Sequence, residues 1–458
     1  MKIFRFEGLL QDKEWISPAF VKVDNKGKLI SITSECTENF EEVNGLAVPA
    51  FPNAHSHSFQ YAMAGLAEVH PAGSEPDDFW SWREAMYNLA LSVNPDEFEN
   101  IATMLYSEMI RHGYNSVAEF HYVHHDKNGE QYSNLAELGS RLVNAAKNSG
   151  IKLTLIPIFY QKGGFGVKPV DKQKRFISPT SEDYIKLFEA SQKACSEYDD
   201  ANIAVGIHSM RGVQDQDIVN ISKWADPNIA FHIHISEQLK EIEDSIAYLG
   251  CRPVEWLLEN IDLNRKYQLV HATHLTNEET IGIAKSEAQV VICPTTEGNL
   301  GDGIFPLKKF QENGGKWCLG TDSHVNINPL EELRLLDYGQ RLISHKRNTF
   351  FSKEEGNSGF YAIKHAISNG RIAVNDLQEN FFTLGSDFDC IVYDMNHPLL
   401  ATTSSKYWMS SIIYSSDQNM CSGTILKGNW IVKNQKHFNQ EVIFENFINT
   451  LNNLKSRA

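Results

Sequence analysis

The chain has 458 residues, a length that accommodates a large α/β barrel together with a smaller appended domain. Hydrophobic residues make up 42% of the sequence and charged residues 22%, as in ordinary globular proteins, and the formal net charge is −16. Since no basic stripe offsets this acidity, the composition argues against nucleic acid and against an anionic membrane as partners. An anionic small molecule stays open, because a binding site can be locally positive.

The cysteines and the first residues of the chain predict its compartment. The seven cysteines are scattered and form no CxxC motif, which is typical of reduced thiols. The segment from Met1 to Trp15 has no apolar core of the kind found in signal peptides. No apolar run approaches the ~18 residues that span a bilayer. We therefore expect a soluble, cytoplasmic protein, and we expect it to form a homodimer.

The central part of the chain alternates between two patterns. Short β-branched or aromatic runs are followed by stretches of helical periodicity, such as 95–113, 182–198, 276–287 and 329–342. The runs number eight: 46–51, 116–123, 152–160, 203–210, 229–236, 267–275, 289–296 and 317–325. Eight such units predict a parallel (β/α)8 barrel of the TIM type over residues 49–375. A doubly wound open sheet is the structural alternative.

The two ends of the chain have a different pattern. Residues 21–33 contain short extended pieces, and residues 386–395, 411–416 and 422–436 have the pattern of strands joined by turns. We expect residues 1–48 and 376–437 to form one small β-sandwich domain beside the barrel. Residues 438–458 have apolar side chains at helical spacing and are expected to form a terminal helix.

Polar side chains recur where four of the predicted strands end. They are His55 and His57 at the first strand, His232, His234 and Glu237 at the fifth, His271 and His274 at the sixth, and Asp322 at the eighth. Each one alone is explained by a hydrogen-bonded core histidine, a turn or a helix cap. Because catalytic groups of such barrels lie at the carboxyl ends of the strands, their recurrence there predicts a shared site.

The residue types indicate the chemistry of that site. Residues i and i+2 of an extended chain point to the same side, so His55 and His57 can share a metal ion. Three imidazoles and one carboxylate suit zinc, iron(II) or a similar divalent ion. Such a site with room for water makes hydroxide near neutral pH, which indicates hydrolysis.

Several stretches of the chain, among them HSHSFQYAMAGLAE, DDFWSWREAMYNLAL, HISEQ and CPTTEGNLGDGIF, resemble those of the formimidoylglutamate deiminases, a family of the amidohydrolase superfamily. The resemblance implies four metal ligands, His55, His57, His234 and Asp322. The fourth strand, IAVGIHSMRGV, lacks the lysine that bridges two metals in binuclear members. The resemblance therefore implies one divalent ion, zinc (Zn²⁺) with iron (Fe²⁺) as the alternative.

The same resemblance implies an activity and its residues. The reaction would be the hydrolysis of N-formimino-L-glutamate to N-formyl-L-glutamate and ammonia, in histidine degradation. The implied residues are Glu237, His271 and Asp322 as proton carriers, and Gln60, Arg83, Tyr122, His208 and Arg211 around the substrate.

The two arginines are the expected partners of the two substrate carboxylates, because a guanidinium can bind a carboxylate with paired hydrogen bonds. Arg83 is expected in a long loop after the first strand, with Trp80 and Trp82 packing that loop as a lid. Two alternatives are a deaminase of guanine or a related heterocycle, and a barrel that has lost its catalysis.

Overall fold

The structure is a computed structural model that describes residues 1–12, 14–63, 65–68, 79–352, 355–378 and 380–457, with residues 79–81 described by their backbone alone. Strands and helices are numbered along the chain. The first five strands are β1 (Lys2–Gln11), β2 (Glu14–Ile16), β3 (Ala19–Val23), β4 (Leu29–Thr33) and β5 (Glu41–Pro49). They belong to a sheet that is completed by the other end of the chain.

The centre of the molecule is a parallel barrel. Its strands are β6 (Phe51–Ser56), β7 (Tyr114–His121), β8 (Lys152–Phe159), β10 (Val205–Ser209), β11 (Phe231–Ile235), β12 (Tyr267–His271), β13 (Gln289–Ile292) and β14 (Lys316–Leu319). They pair in that order, and the short β9 (Ala201–Ile203) pairs with β8. A parallel bridge between Ser56 and Asp322 joins the last strand region to the first. The predicted TIM-type barrel is confirmed, and this bridge argues against the open sheet.

Helices separate the barrel strands. They are α1 (Phe79–Ser92), α2 (Pro95–Arg111), α3 (Glu137–Ser149), α4 (Ser181–Cys195), α5 (Asp215–Trp224), α6 (Leu239–Leu249), α7 (Pro253–Asn260), α8 (Asn277–Ser286), α9 (Pro294–Leu300), α10 (Leu307–Glu312) and α11 (Pro329–Ser344), followed by α12 (Ser358–Lys364) and α13 (Gly370–Ala373). The four stretches with helical periodicity correspond to α2, α4, α8 and α11. None of the helices in the described ranges is both long and apolar enough to cross a membrane.

The local sequence explains where α2 begins. Asn94 accepts a hydrogen bond from the backbone N–H of Glu97 at 3.0 Å, and the Glu97 carboxylate accepts one from the N–H of Asn94 at 3.0 Å. This reciprocal pair satisfies two backbone donors that the first turn of a helix leaves unpaired, and Pro95 supplies a suitable first helical residue.

The last strands complete the outer sheet. They are β15 (Cys390–Asp394), β16 (Cys421–Leu426), β17 (Asn429–Lys433) and β18 (Lys436–His437), accompanied by α14 (Pro398–Ala401), α15 (Trp408–Ser415) and α16 (Gln440–Arg457). The strand order is β18-β17-β16-β15-β5-β1-β3-β4, with β2 beside β1. Both chain ends thus share one sheet of nine hydrogen-bonded strands. The terminal helix α16 packs on α2, where Arg457 donates to Glu97 at 2.7 Å.

Two strand predictions are wrong. Residues 46–51 do not form the first barrel strand, because β5 of the outer sheet runs to Pro49 and β6 of the barrel begins at Phe51. All six residues of the run LAVPAF are apolar and buried, so the run gives no sign of the change from one sheet to the other. Residues 411–416 fall largely in α15, whose buried side chains Trp408 and Ile412 are four residues apart. The expected domain limits stay a prediction.

Candidate active site

Four potential metal ligands meet at the carboxyl ends of the barrel strands. His55 and His57 come from the end of β6, His234 from β11, and Asp322 follows β14. The Nε2 atom of His55 lies 3.2 Å from that of His57 and 3.0 Å from that of His234. Asp322 Oδ1 is 3.3 Å from His55 Nε2 and 3.1 Å from His57 Nε2. All four residues are buried.

The chemistry of this donor set fits a divalent cation. Burial lowers the pKa of His55 to about 3 and the pKa of His234 well below its ordinary value, so both imidazoles are neutral. His57 donates from Nδ1 to the Phe120 carbonyl oxygen at 2.9 Å, which leaves its Nε2 lone pair directed at the other ligands. Burial opposes ionisation of Asp322, but His55 and His57 hold its pKa well below the usual value. A divalent cation held by these residues would offset the repulsion among their converging lone pairs.

The backbone of the strand ends is turned by left-handed conformations. Ser236 has a φ of 52°, His271 of 70°, Ala272 of 50° and Asp322 of 49°. Such values are uncommon for residues other than glycine and cluster at functional sites. Here they occur just beyond β11, at the end of β12 and just beyond β14, where the chain must leave the barrel immediately after a side chain that enters the site.

Two further titratable residues border the ligands. His271 Nε2 lies 3.7 Å from Glu237 Oε1 and 3.9 Å from Asp322 Oδ2, and its Nδ1 lies 3.3 Å from Glu297 Oε1. Burial acts to lower the pKa of His271, but the carboxylates of Glu237, Glu297 and Asp322 raise it to about 10. His271 can therefore carry a proton at neutral pH and present it next to Glu237.

Arg211 lies between two buried carboxylates. Its Nη2 donates to Glu237 Oε2 at 3.0 Å and its Nη1 donates to Glu241 Oε2 at 2.9 Å. Burial acts to lower the pKa of Arg211, but Glu241 and Glu237 raise it above the ordinary value, so the guanidinium stays charged. The residue expected to bind a substrate carboxylate thus also orients one of the expected proton carriers.

The residues predicted around the substrate line one cavity. Gln60, Arg83, Tyr122, His208 and Arg211 surround it together with His57, His234, Glu237, His271 and Asp322. Within it, Gln60 Nε2 donates to the Tyr122 hydroxyl at 2.9 Å, and the Arg83 guanidinium carbon lies 5.5 Å from the centre of the Tyr87 ring. Every predicted site residue therefore lines the cavity except His55, which is fully buried and lies 3.0 Å from His234.

Arg83 was expected in a loop, and this prediction is wrong. The residue lies in α1, which begins at Phe79. Trp82 lines the cavity, whereas the side chain of Trp80 lies outside the described part of the chain. Five further residues that were not predicted from the sequence also line the cavity: Met86, Tyr87, Tyr160, Phe176 and Leu300. Tyr160 directly follows β8, so the rule that strand ends carry functional residues predicts its location.

Comparison with known proteins identifies the class. Residues 46–431 match the sequence profile of the amidohydrolase family, and the chain belongs to that family. Its fold matches the crystal structure of an amidohydrolase from Brucella melitensis with a TM-score of 0.92 and 34% identity, over 99% of this chain and 100% of that one. An adenosine deaminase from Xanthomonas campestris with bound zinc shares the fold, with a TM-score of 0.81 and 16% identity over 99% and 98% of the two chains.

Within this class the chain is similar to one enzyme over its full length. It is 37% identical over 450 residues to the formimidoylglutamate deiminase of Pseudomonas aeruginosa, covering 98% of both chains. A 5-methylthioadenosine/S-adenosylhomocysteine deaminase of Pyrococcus abyssi is 25% identical over 400 residues, covering 85% of this chain and 84% of that one. The family resemblance inferred from the sequence motifs is confirmed, and the donor set is that of a site for a divalent metal.

Proposed function

We propose that this protein hydrolyses N-formimino-L-glutamate to N-formyl-L-glutamate and ammonia, in histidine degradation, with one bound zinc ion and iron(II) as the alternative metal. One observation carries the proposal: the cavity lined by three of the proposed ligands, His57, His234 and Asp322, is also lined by Glu237, Arg83 and Arg211. Such a cavity combines a hydrolytic centre with the positive charge that a dianionic substrate needs. The full-length similarity to a formimidoylglutamate deiminase supports the same substrate.

In the proposed reaction, water adds to the formimino carbon and the bond from that carbon to the terminal nitrogen breaks. The nitrogen leaves as ammonia and the water oxygen becomes the formyl oxygen. When bound at His55, His57, His234 and Asp322, a divalent ion supplies the Lewis acidity that makes water nucleophilic near neutral pH. The remaining tasks, proton transfer and substrate orientation, fall to other side chains of the cavity.

Three residues are placed to move protons in this proposal. Asp322 is a carboxylate and can accept a proton from the attacking water, while His271 Nε2, 3.9 Å from Asp322 Oδ2, can orient that water or pass on its proton. Glu237, 3.7 Å from His271, can bind the cationic amidine and deliver a proton to the departing nitrogen. Protonation of that nitrogen is required because neutral ammonia is the leaving group.

The two arginines are proposed to hold the two substrate carboxylates, one each. Arg83 extends from α1 and Arg211 from the loop after β10, so the two guanidinium groups approach the cavity from different elements. Gln60, Tyr122 and His208 complete the proposed pocket. Because Arg211 also binds Glu237, its loss should affect catalysis as well as substrate binding, whereas the loss of Arg83 should mainly affect binding.

The test is ammonia release from N-formimino-L-glutamate by metal-loaded protein, with Arg83→Met as the diagnostic variant. Removing one side of a desolvated charge pair costs about 2–5 kcal/mol, which corresponds to roughly 30- to several-thousand-fold in kcat/KM. We expect Arg83→Met to show a loss in that range, mostly as a higher KM, and Arg83→Lys to recover part of it. Arg265→Met is the control, because Arg265 is exposed and precedes β12 at the opposite end of the barrel.

A deaminase of guanine or a related heterocycle is the second candidate, favoured by the aromatic rings of Tyr87, Tyr160 and Phe176 in the cavity. Such rings can stack on a planar base. The same assay separates the two activities. If guanine is deaminated faster than N-formimino-L-glutamate and Arg83→Met retains full activity, the deiminase proposal is wrong.

Location and assembly stay predictions from the sequence. All seven cysteines are free and five of them are buried, which supports the proposed cytoplasmic location. The predicted homodimer is to be tested by analytical ultracentrifugation of the metal-loaded protein.

A further inference from the structure

The proposed reaction assigns no task to Glu241, although this carboxylate lies beside the site. Glu241 is the third residue of α6, and its side chain has no measurable solvent exposure. Burying a carboxylate is unfavourable unless charged and hydrogen-bonding partners compensate it. The partners of Glu241 therefore indicate why the residue is there.

The Glu241 carboxylate accepts three hydrogen bonds, two from the backbone beside Glu237 and one from Arg211. Its Oε1 accepts from the backbone N–H of Ser236 at 3.1 Å, and its Oε2 accepts from the N–H of Glu237 at 3.1 Å. The same Oε2 accepts from Arg211 Nη1 at 2.9 Å. Arg211 in turn donates through Nη2 to the Glu237 carboxylate at 3.0 Å.

This arrangement differs from an ordinary helix cap. A glutamate at the third helical position usually accepts from the N–H of the N-cap residue, which in α6 is Gln238. Glu241 instead accepts from the backbone N–H groups of Ser236 and Glu237, which precede the N-cap. These residues form the turn that follows His234, in which Ser236 has a φ of 52°. It also binds the Arg211 guanidinium, which comes from the loop after β10 and which no helix cap requires.

Glu241 thus holds Glu237 by two routes. One route is direct, through the backbone of Ser236 and Glu237. The other passes through Arg211, whose planar guanidinium connects the two carboxylates at fixed spacing. A displacement of about 1 Å at a catalytic group can lower a rate by about 10²-fold. Loss of either route should therefore change the position of the Glu237 carboxylate relative to the substrate nitrogen.

We propose that Glu241 is a positioning residue that fixes Glu237 and Arg211 toward the bound substrate. The inference rests on the proposed function in one respect, that Glu237 transfers a proton to the leaving nitrogen. It assigns to Glu241 no contact with the substrate or with the metal ligands.

The test is a double-mutant cycle between Glu241→Gln and Glu237→Gln. Glutamine keeps the size of the side chain but replaces one acceptor oxygen with a donor that repels Arg211 or a backbone N–H. We expect Glu241→Gln to lower kcat by about 10- to 100-fold at full metal content. In the Glu237→Gln background the same substitution should lower kcat little further, because Glu241 acts through Glu237.

Glu243→Gln is the matched control, because Glu243 lies on the same helix and is exposed. It should leave kcat and KM unchanged. Additive losses in the cycle, or a lower melting temperature of Glu241→Gln with a normal kcat, would overturn the proposal and leave Glu241 a structural residue. If Glu241→Gln yields no folded protein, Glu241→Asp replaces it, since it keeps the charge but is one methylene too short to keep all three bonds.

A crystal structure of Glu241→Gln tests the inference independently of the substrate. We expect the bond between Arg211 and Glu237 to be lost or the Glu237 carboxylate to move by about 1 Å or more. Unchanged positions of both side chains would overturn the inference even if the substrate assignment is right. Absence of ammonia release by the wild-type protein would instead count against the proposed function, so the two failures are distinguishable.

Discussion

In the proposed reaction, Asp322 takes part in both metal binding and proton transfer. One carboxylate oxygen lies within 3.3 Å of His55 and His57, while the other faces His271 at 3.9 Å. Glu237, in contrast, bonds to Arg211, and no bond from it to the three ligand histidines is found among the described residues. The two carboxylates of the site therefore have separable tasks.

We predict that Asp322→Asn loses most of its metal, because an amide replaces a charged ligand, and that Glu237→Gln retains it. Elemental analysis after gel filtration should find one divalent ion per wild-type chain, one for Glu237→Gln and much less for Asp322→Asn. Two ions per wild-type chain, both needed for activity, would contradict the single-metal proposal. Full metal content in Asp322→Asn would contradict the ligand assignment.

The junction of β14 with β6 brings Asp322 to the histidines. Gly320 lies between β14 and Asp322 and packs directly on β6. A methyl group at Gly320 would come within 2.6 Å of His55 Cβ, 2.9 Å of Cys293 Sγ and 3.1 Å of the His55 backbone nitrogen. Because two of these contacts are with β6 itself, the two strands must separate to admit a side chain.

We predict that Gly320→Ala displaces His55, lowers metal content and destabilises the protein by about 1–3 kcal/mol, the usual range for overpacking. Gly339→Ala in α11 is the control, because its added methyl would meet Ile304 at an ordinary 3.5 Å. It should be neutral or stabilising by about 0.5–1 kcal/mol. Metal analysis and urea unfolding of both variants test this. Normal metal content in Gly320→Ala would contradict the predicted displacement of His55.

Across the molecule, buried histidines link stability to pH. At the end of β7, His121, His124 and His125 lie close together, with ring centres of His121 and His124 4.9 Å apart. Burial and the nearby Arg175 lower the pKa of His121 to about 3. Burial also lowers the pKa values of His124 and His125. Their folded forms are neutral, whereas unfolded histidines bind protons below about pH 6.5.

The free energy of unfolding should therefore fall as pH decreases below about 6.5, because the unfolded state then binds more protons. A histidine that stays neutral when folded contributes a loss of about 2 kcal/mol between about pH 6.5 and about pH 4.5. Urea unfolding across this range gives the slope of the free energy of unfolding against pH. For His121→Gln this slope should be shallower than for wild type by the equivalent of about one bound proton. His345→Gln, at an exposed position, should follow the wild-type slope. Parallel slopes for His121→Gln and wild type would contradict the prediction.

Local patterns in the sequence were enough to predict the barrel and the location of its site. Seven of the eight apolar runs match barrel strands, β7, β8 and β10 to β14, and the four stretches of helical periodicity match α2, α4, α8 and α11. His55 and His57 are two residues apart in an extended chain, so their shared orientation follows from strand geometry. The rule that functional groups lie at strand ends then predicts that the polar side chains of several strands meet.

Tertiary structure decided what depends on distant partners. His232 and His234 share a face of β11, yet His232 bonds to the Ala373 carbonyl at 3.0 Å while His234 lies 3.0 Å from His55. The two side chains lie at different depths in the barrel, so His232 is a core residue and His234 a proposed ligand. No local pattern encodes this depth. Likewise, arginine is a residue type usually found at the surface. Arg211 nevertheless bonds to Glu237 and Glu241, because β10 and β11 are neighbours in the barrel. Local periodicity fixes which way a side chain points, whereas the partner it meets depends on contacts between residues far apart in the chain.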